Sequence, residues 1–326
     1  MRIVYLGSPD EVLGPLASLH AEGELLGYKL IAVVSQPARP VGRNNSPQDP
    51  PVAAWAKANG VLCLQPESAK APEFIAAFRD LHPDIAVTAA YGQILSDEFL
   101  AVPTRATINI HPSALPKYRG ATPVPAALLD GATTTSVSIL FTVKKLDAGN
   151  IIVTKDFPIG DHECAGDLTA RLFHSSTPLL FEALSLLANP SYCGTPQLHS
   201  EATFCKKISK EVGEIDWSSS NTVITNRFRA FNPWPGSWTY LAGKRIALCS
   251  LKLAQPSSDL KEPASLMPGQ VSWDAAHNCL RVVTGTGAVL VPRLKPAGGR
   301  EMDASAFWNG LRDKSNVQFQ RAPVVL

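Results

Sequence analysis

The chain has 326 residues, of which 45% are hydrophobic and 18% charged, with a formal net charge of +2. These proportions exclude a disordered polyelectrolyte and describe a globular protein, and the length exceeds what one core ordinarily holds, so two domains are expected. No apolar run reaches the ~18 residues of a membrane span, so no membrane partner and a cytoplasmic location are expected.

The predicted elements alternate through the first half. Residues 2–6 read as a strand, followed by the turn Gly7-Ser-Pro-Asp10 and a helix-compatible stretch to Glu24. A second strand spans 30–35. Residues 51–59 read as a helix with proline in its first turn and Gly60 as its C-terminal cap. Strand 61–64, helix 71–81, strand 84–89 and strand 107–111 continue the rhythm. Strands apolar on both faces, alternating with helices, imply a Rossmann-like, mostly parallel α/β sheet covered by helices on both sides. Ligands of such sheets lie beyond the carboxyl ends of the strands. No G-x-G-x-x-G or Walker A pattern is present, so no pyrophosphate cradle is expected.

Strand 136–143 runs into Lys144-Lys-Leu-Asp-Ala-Gly-Asn150, where Asp147-Ala-Gly149 has turn chemistry. A helix over 167–187 closes the first domain, taken as 1–188. The Pro- and Gly-containing stretch 189–205 is expected as a linker. Residues 206–326 shift to short alternating runs (237–241, 245–253, 280–284 and 288–294), with helices at 222–231 and 304–311, and predict a small β-barrel (OB-like) or a β-sandwich. The first 190 residues carry a net charge of −4 and the remainder +6, which hints at a polyanionic partner for the second half. Six cysteines lie far apart without a C-x-x-C pair, so neither a disulfide framework nor a metal site is expected.

The stretch Thr107-Ile-Asn-Ile-His-Pro-Ser-Ala-Leu-Pro-Lys-Tyr-Arg-Gly-Ala-Thr-Pro123 organises the rest. Asn109 and His111 are two residues apart, so on a strand both leave the same face. The prolines then break the ladder into an irregular loop suited to lie against a ligand. An amide donor beside an imidazole can polarise a carbonyl and move a proton; a capped strand with a merely hydrogen-bonded histidine would look the same. Asp147 alone reads as a turn aspartate.

Together, Ile108–Gly120 and Leu146-Asp-Ala-Gly149 resemble the folate-dependent formyltransferases. Gln36-Pro-Ala-Arg-Pro-Val-Gly-Arg43, Lys206-Lys-Ile-Ser-Lys210, Ile215-Asp-Trp217 and Phe231-Asn-Pro-Trp-Pro-Gly-Ser-Trp238 narrow the resemblance to members acting on charged initiator tRNA. It runs from Met1 to about Lys295. The resemblance implies formyl transfer from the co-substrate 10-formyltetrahydrofolate to the amino group of methionine on initiator methionyl-tRNA, in translation initiation, by a monomer. It implies catalysis by Asn109, His111 and Asp147. Folate is expected against Tyr91, Gly92, Gln93, Ile94 and Leu95, and against Ser113, Ala114, Leu115, Pro116 and Leu146. Arg43, Lys206, Lys207 and Lys210 are expected to meet tRNA. Glu11, Pro112, Lys145 and Asn150 depart from the family's usual residues, and the loop after Arg43 is poor in lysine. Formylation of a nucleotide-linked amino sugar is the alternative enzyme reading, and a non-catalytic folate- or RNA-binding module is the reading outside enzymes.

Overall fold

The computed structural model describes residues 1–41, 46–254 and 267–322. They form two compact units: one of residues 1–124, 133–159 and 167–206, the other of residues 125–132, 160–166 and 207–326 where described.

In the first unit a seven-stranded sheet contains β1 (Arg2–Gly7), β2 (Lys29–Val34), β3 (Cys63–Leu64), β4 (Ile85–Ala89), β5 (Ala106–His111), β6 (Thr134–Phe141) and β7 (Ile151–Pro158). The spatial order is β7-β6-β5-β4-β1-β2-β3. The five strands from β3 to β5 run parallel, whereas β6 is antiparallel to β5 and β7 to β6. Ile3, Val4, Tyr5 and Leu6 of β1 are wholly buried. Burial on both faces is what a central parallel strand requires, and each such aliphatic side chain contributes roughly 1.5–3 kcal/mol. The strand order reverses between β1 and β4, so the crevice outside their carboxyl ends is a switch point suited to ligands.

Helices α1 (Leu13–Glu22), α2 (Pro51–Ala58) and α3 (Pro72–Asp80) follow the first three strands. Proline occupies the first turn of α2 and of α3, where its missing N–H costs nothing, and Gly60 takes a positive φ of 67° beyond α2. The short α4 (Asp97–Leu100) is capped by Ser96, whose hydroxyl accepts from Phe99 N–H at 3.2 Å. Phe74, Phe78 and Phe99 stack beside Tyr91 in one core cluster. Two elements depart from the sequence expectation. The single helix over 167–187 is two, α6 (Ala165–Ser175) and α7 (Thr177–Leu186), because Pro178 falls in the first turn of a new helix. Strand β7 was not expected: as a sheet edge it buries Ile152 and Val153 but exposes Thr154, Lys155 and Asp156, so its periodicity is faint. Helix α5 (Pro123–Leu129) lies between β5 and β6 in sequence. Residues 189–205, expected as a linker, belong to the first unit, where Phe204–Cys205 pairs in parallel with Arg119–Gly120.

The second unit is an antiparallel sheet of β8 (Ser237–Leu241), β9 (Lys244–Leu253), β10 (Val271–Asp274), β11 (Cys279–Val283) and β12 (Ala288–Pro296), in the order β8-β9-β12-β11-β10, with β13 (Met302–Asp303) also paired to β12. Ala242 and Gly243, both with positive φ, make the two-residue turn between β8 and β9. Residues 317–320 bridge the two edges: Tyr240 N–H donates to Gln320 O at 2.9 Å, and Val271 N–H to Val317 O at 2.8 Å. Those bonds close the sheet into the expected small barrel. Its core includes Trp217 stacked on Phe319, with α8 (Asn221–Phe231) and α9 (Ala304–Asn309) as its helices. Among the described residues, no helix is long and apolar enough to cross a membrane.

Candidate active site

Strand β5 carries Asn109 and His111 on one face, at the carboxyl edge of the parallel sheet. Asn109 lies opposite Thr88 of β4, and the Thr88 hydroxyl reaches Asn109 Oδ1 at 2.8 Å and Ile108 O at 3.0 Å. The other end of the amide, Nδ2, faces Asp147 Oδ1 at 3.4 Å. A carboxylate only accepts, so this partner assigns the orientation of the amide, with Oδ1 turned to Thr88. One Nδ2 hydrogen remains for a ligand.

His111 is buried, and its Nε2 lies 3.2 Å from the carbonyl of Tyr118. The carbonyl accepts, which assigns a proton to Nε2. The opposite ring nitrogen, Nδ1, is 3.9 Å from Asp147 Oδ2, beyond hydrogen-bond range but within strong charge attraction once the ring is protonated.

Asp147 comes from the turn after β6. Its φ of 46° is left-handed, a conformation aspartate tolerates better than most residues. Two residues on, a Cβ at Gly149 would fall 1.9 Å from Phe141 O, so only glycine lets the turn fold back this closely. Asp147 Oδ2 also accepts the Gly120 N–H at 2.8 Å, which ties the turn to the end of the proline-rich loop. The three residues singled out from the sequence are therefore brought together from β5 and a turn 36 residues downstream of His111, in one partly buried cluster.

The expected folate residues occupy two loops and one turn. Ser113 is buried and its hydroxyl donates to Lys117 O at 3.0 Å, while Ala114, Leu115 and Pro116 are partly exposed beside it. Tyr91 directs its ring into the Phe74, Phe78 and Phe99 cluster, and burial pushes its phenol well above the ordinary value. Its backbone carbonyl is fixed by the Ser8 hydroxyl at 3.2 Å and Gln36 Nε2 at 3.0 Å, which joins the loops after β1, β2 and β4. Gln93 is held by Ala69 N–H at 2.6 Å and Pro66 O at 3.1 Å. Gly92 and Ile94 are exposed, Leu95 is half-buried, and Leu146 beside Asp147 stands 59% exposed, an apolar side chain available to a planar ligand. Lys206, Lys207 and Lys210 are all exposed; the Lys206 carbonyl accepts the Thr122 hydroxyl at 2.7 Å. Arg43 lies outside the described residues.

Sequence reasoning missed Thr88, the Gly120 N–H and Gln197. Thr88 stands in an apolar strand and Gln197 in a stretch read as linker, and neither carries a local pattern that signals a role.

The family model for formyl transferase matches residues 1–184, and that for the formyl transferase C-terminal domain matches residues 207–312. The methionyl-tRNA formyltransferase of Chloroflexus aggregans is 38% identical over 311 residues, covering 95% of this chain and 97% of the relative. The chain belongs to the methionyl-tRNA formyltransferase family. A second member, from Roseiflexus castenholzii, is 37% identical over 312 residues, covering 96% of each chain. Among solved structures, the family's fold recurs in HypX from Aquifex aeolicus in complex with tetrahydrofolic acid, at a TM-score of 0.64 and 16% identity, covering 98% of this chain and 51% of that one. It recurs also in the methionyl-tRNA formyltransferase from Clostridium thermocellum, at a TM-score of 0.54 and 15% identity, covering 78% of this chain and 94% of that one. At such identities these two likenesses concern the fold alone.

Proposed function

We propose that this protein moves the formyl group of 10-formyltetrahydrofolate onto the amino group of methionine on initiator methionyl-tRNA, giving N-formylmethionyl-tRNA and tetrahydrofolate. Relatives named methionyl-tRNA formyltransferase, matched over nearly the whole chain, support the substrate pair. The convergence of Asn109, His111 and Asp147 is the observation that carries the chemistry.

The step itself balances without a covalent enzyme intermediate. The amine nitrogen bonds to the formyl carbon, the carbonyl oxygen takes up negative charge, and the bond to N10 breaks as the carbonyl re-forms. One proton leaves the amine and one reaches N10. The spare Nδ2 hydrogen of Asn109 and the Nδ1–H of the His111 imidazolium are assigned to the developing oxyanion, each such donor contributing roughly 3 kcal/mol in the transition state. The ring acts as imidazolium: Nε2–H stays on the Tyr118 carbonyl, and the Nδ1–H is the proton passed to departing N10 as the carbonyl re-forms, which leaves the ring neutral. Asp147 stabilises the imidazolium across 3.9 Å and receives the amine proton through a water.

Folate is assigned to the two loops of residues 91–95 and 113–116, with Leu146 covering one face of its ring. Arg43, Lys206, Lys207 and Lys210 are assigned to tRNA phosphates, which position the acceptor end without reading its sequence. In this reading residues 1–188, together with the segment 189–205 that belongs to the same unit, are the catalytic domain, and 206–326 the barrel that assists tRNA binding. The protein works as a cytoplasmic monomer.

Formyl transfer by the purified protein tests the proposal, with initiator methionyl-tRNA, elongator methionyl-tRNA and a nucleotide-linked amino sugar as alternative acceptors. Formylation of the initiator is the expected result. Transfer only to a nucleotide-linked amino sugar would replace the acceptor, and folate binding without any transfer would remove the catalytic assignment.

A further inference from the structure

Arg119 is 1% exposed and heads the largest wholly buried side chains among the described residues, an unusual place for a guanidinium. Its Nε and Nη2 donate to Gln197 Oε1 at 3.1 and 2.6 Å, and Nη2 also reaches His199 Nδ1 at 3.0 Å, which must accept there. Gln197 in turn spends both amide hydrogens on the Asp147 turn: Nε2 donates to Asp147 O at 2.9 Å and to Gly149 O at 2.7 Å. The amide is thereby saturated, with two donors on backbone carbonyls and its oxygen under the arginine fork, so it has one orientation.

We propose that Arg119 and Gln197 are a positioning pair for Asp147, clamping the backbone of its turn so that the carboxylate is presented to His111 and the incoming amine. The proposal rests on the reading of Asp147 as a reacting group. Three observations converge on it. Asp147 holds a left-handed φ of 46°, a conformation that needs outside restraint in a residue other than glycine. The clamp grips the carbonyls of that residue and of Gly149, where the chain folds back onto Phe141. The residue after Arg119 supplies the N–H that binds the Asp147 carboxylate at 2.8 Å, so residues 119 and 120 hold the backbone of Asp147 through Gln197 and its side chain directly. A clamp of this kind matters for rate because a displacement of about 1 Å in a reacting group can cost ~100-fold.

The test is a double-mutant cycle in the full chain, measuring kcat and KM for both substrates. Gln197→Glu keeps its length and a partner for Arg119 but sets a carboxylate oxygen against two carbonyls. The expected result is a kcat lower by ~30- to 100-fold, with KM for folate and tRNA changed less than about threefold. Combined with Asp147→Asn, it is expected to add little to the loss already caused by Asp147→Asn. Gln197→Met is the second variant if Gln197→Glu does not fold, and the same cycle with it decides. Arg119→Lys, which keeps a donor for Gln197 Oε1, should retain more activity than Arg119→Met. Unchanged kcat in the Gln197 variants, or losses that multiply with that of Asp147→Asn, overturn the positioning role while leaving the proposed function in place. Full activity of Asp147→Asn itself would instead overturn the catalytic reading, so the two failures are distinct.

Discussion

The Thr88 hydroxyl lies 2.8 Å from Asn109 Oδ1 across two adjacent parallel strands, and that bond turns the Asn109 amide nitrogen towards Asp147. The strand pairing that builds the sheet thus also sets which end of the amide faces the substrate.

Thr88→Val, nearly isosteric but without a donor, should leave the fold intact and lower kcat by about fivefold, the value of one neutral hydrogen bond of roughly 1 kcal/mol. Thr88→Ser should restore most of it. Steady-state formyl transfer by the two variants checks this, and equal rates for Thr88→Val and the unaltered protein would detach the amide's orientation from Thr88.

His111→Ala and Asp147→Asn should each reduce turnover by about 100- to 1,000-fold or more, with thermal unfolding little changed. Both side chains sit at the ends of elements anchored elsewhere: His111 closes β5, and the Asp147 turn is held by the Gly149 fold-back. Single-turnover rates together with a melting curve separate a chemical loss from unfolding. A fully active variant would remove that residue from the mechanism.

Lys207→Ala and Lys210→Ala remove exposed charges assigned to phosphates. Each should weaken tRNA use roughly uniformly, spare folate binding, and reduce the slope of log affinity against log salt by about one. Titrating tRNA binding over a range of salt concentrations tests this; an unaltered slope means the lysine touches solvent alone.

Asp216 links the stability of the second unit to pH. The Ser218 hydroxyl, 2.6 Å from its Oδ1, holds the carboxyl below the usual range, partial burial opposes that shift, and the Ser218 N–H at 3.1 Å reinforces it. A lowered folded-state pKa stabilises the fold above the unfolded carboxylate value of about 3.9, and the stabilisation disappears as pH falls through the lowered value. Asp216→Ala should therefore unfold at lower urea than the unaltered protein at neutral pH, with the gap closing as the pH falls below about 4. A gap that stays constant down to acid pH would show that the charge is not responsible.

Much of this protein could be read from local pattern. Apolar runs buried on both faces, such as Ile3–Leu6, and helices such as the one announced by Pro51 define a parallel α/β sheet, because side-chain periodicity and φ restriction act over a few residues. The spacing of Asn109 and His111 on one strand face was legible for the same reason. The tertiary structure alone decided what lies far apart in sequence. It brought Asp147 to within 3.9 Å of His111 and laid Thr88 beside Asn109. It placed Gln197 under a buried arginine 78 residues away. It also closed the second sheet with residues 317–320, which pair through single bridges rather than as a patterned strand. A buried hydrogen bond stabilises a fold through geometry and desolvation at one point in space, and such a bond leaves no periodic trace in the chain.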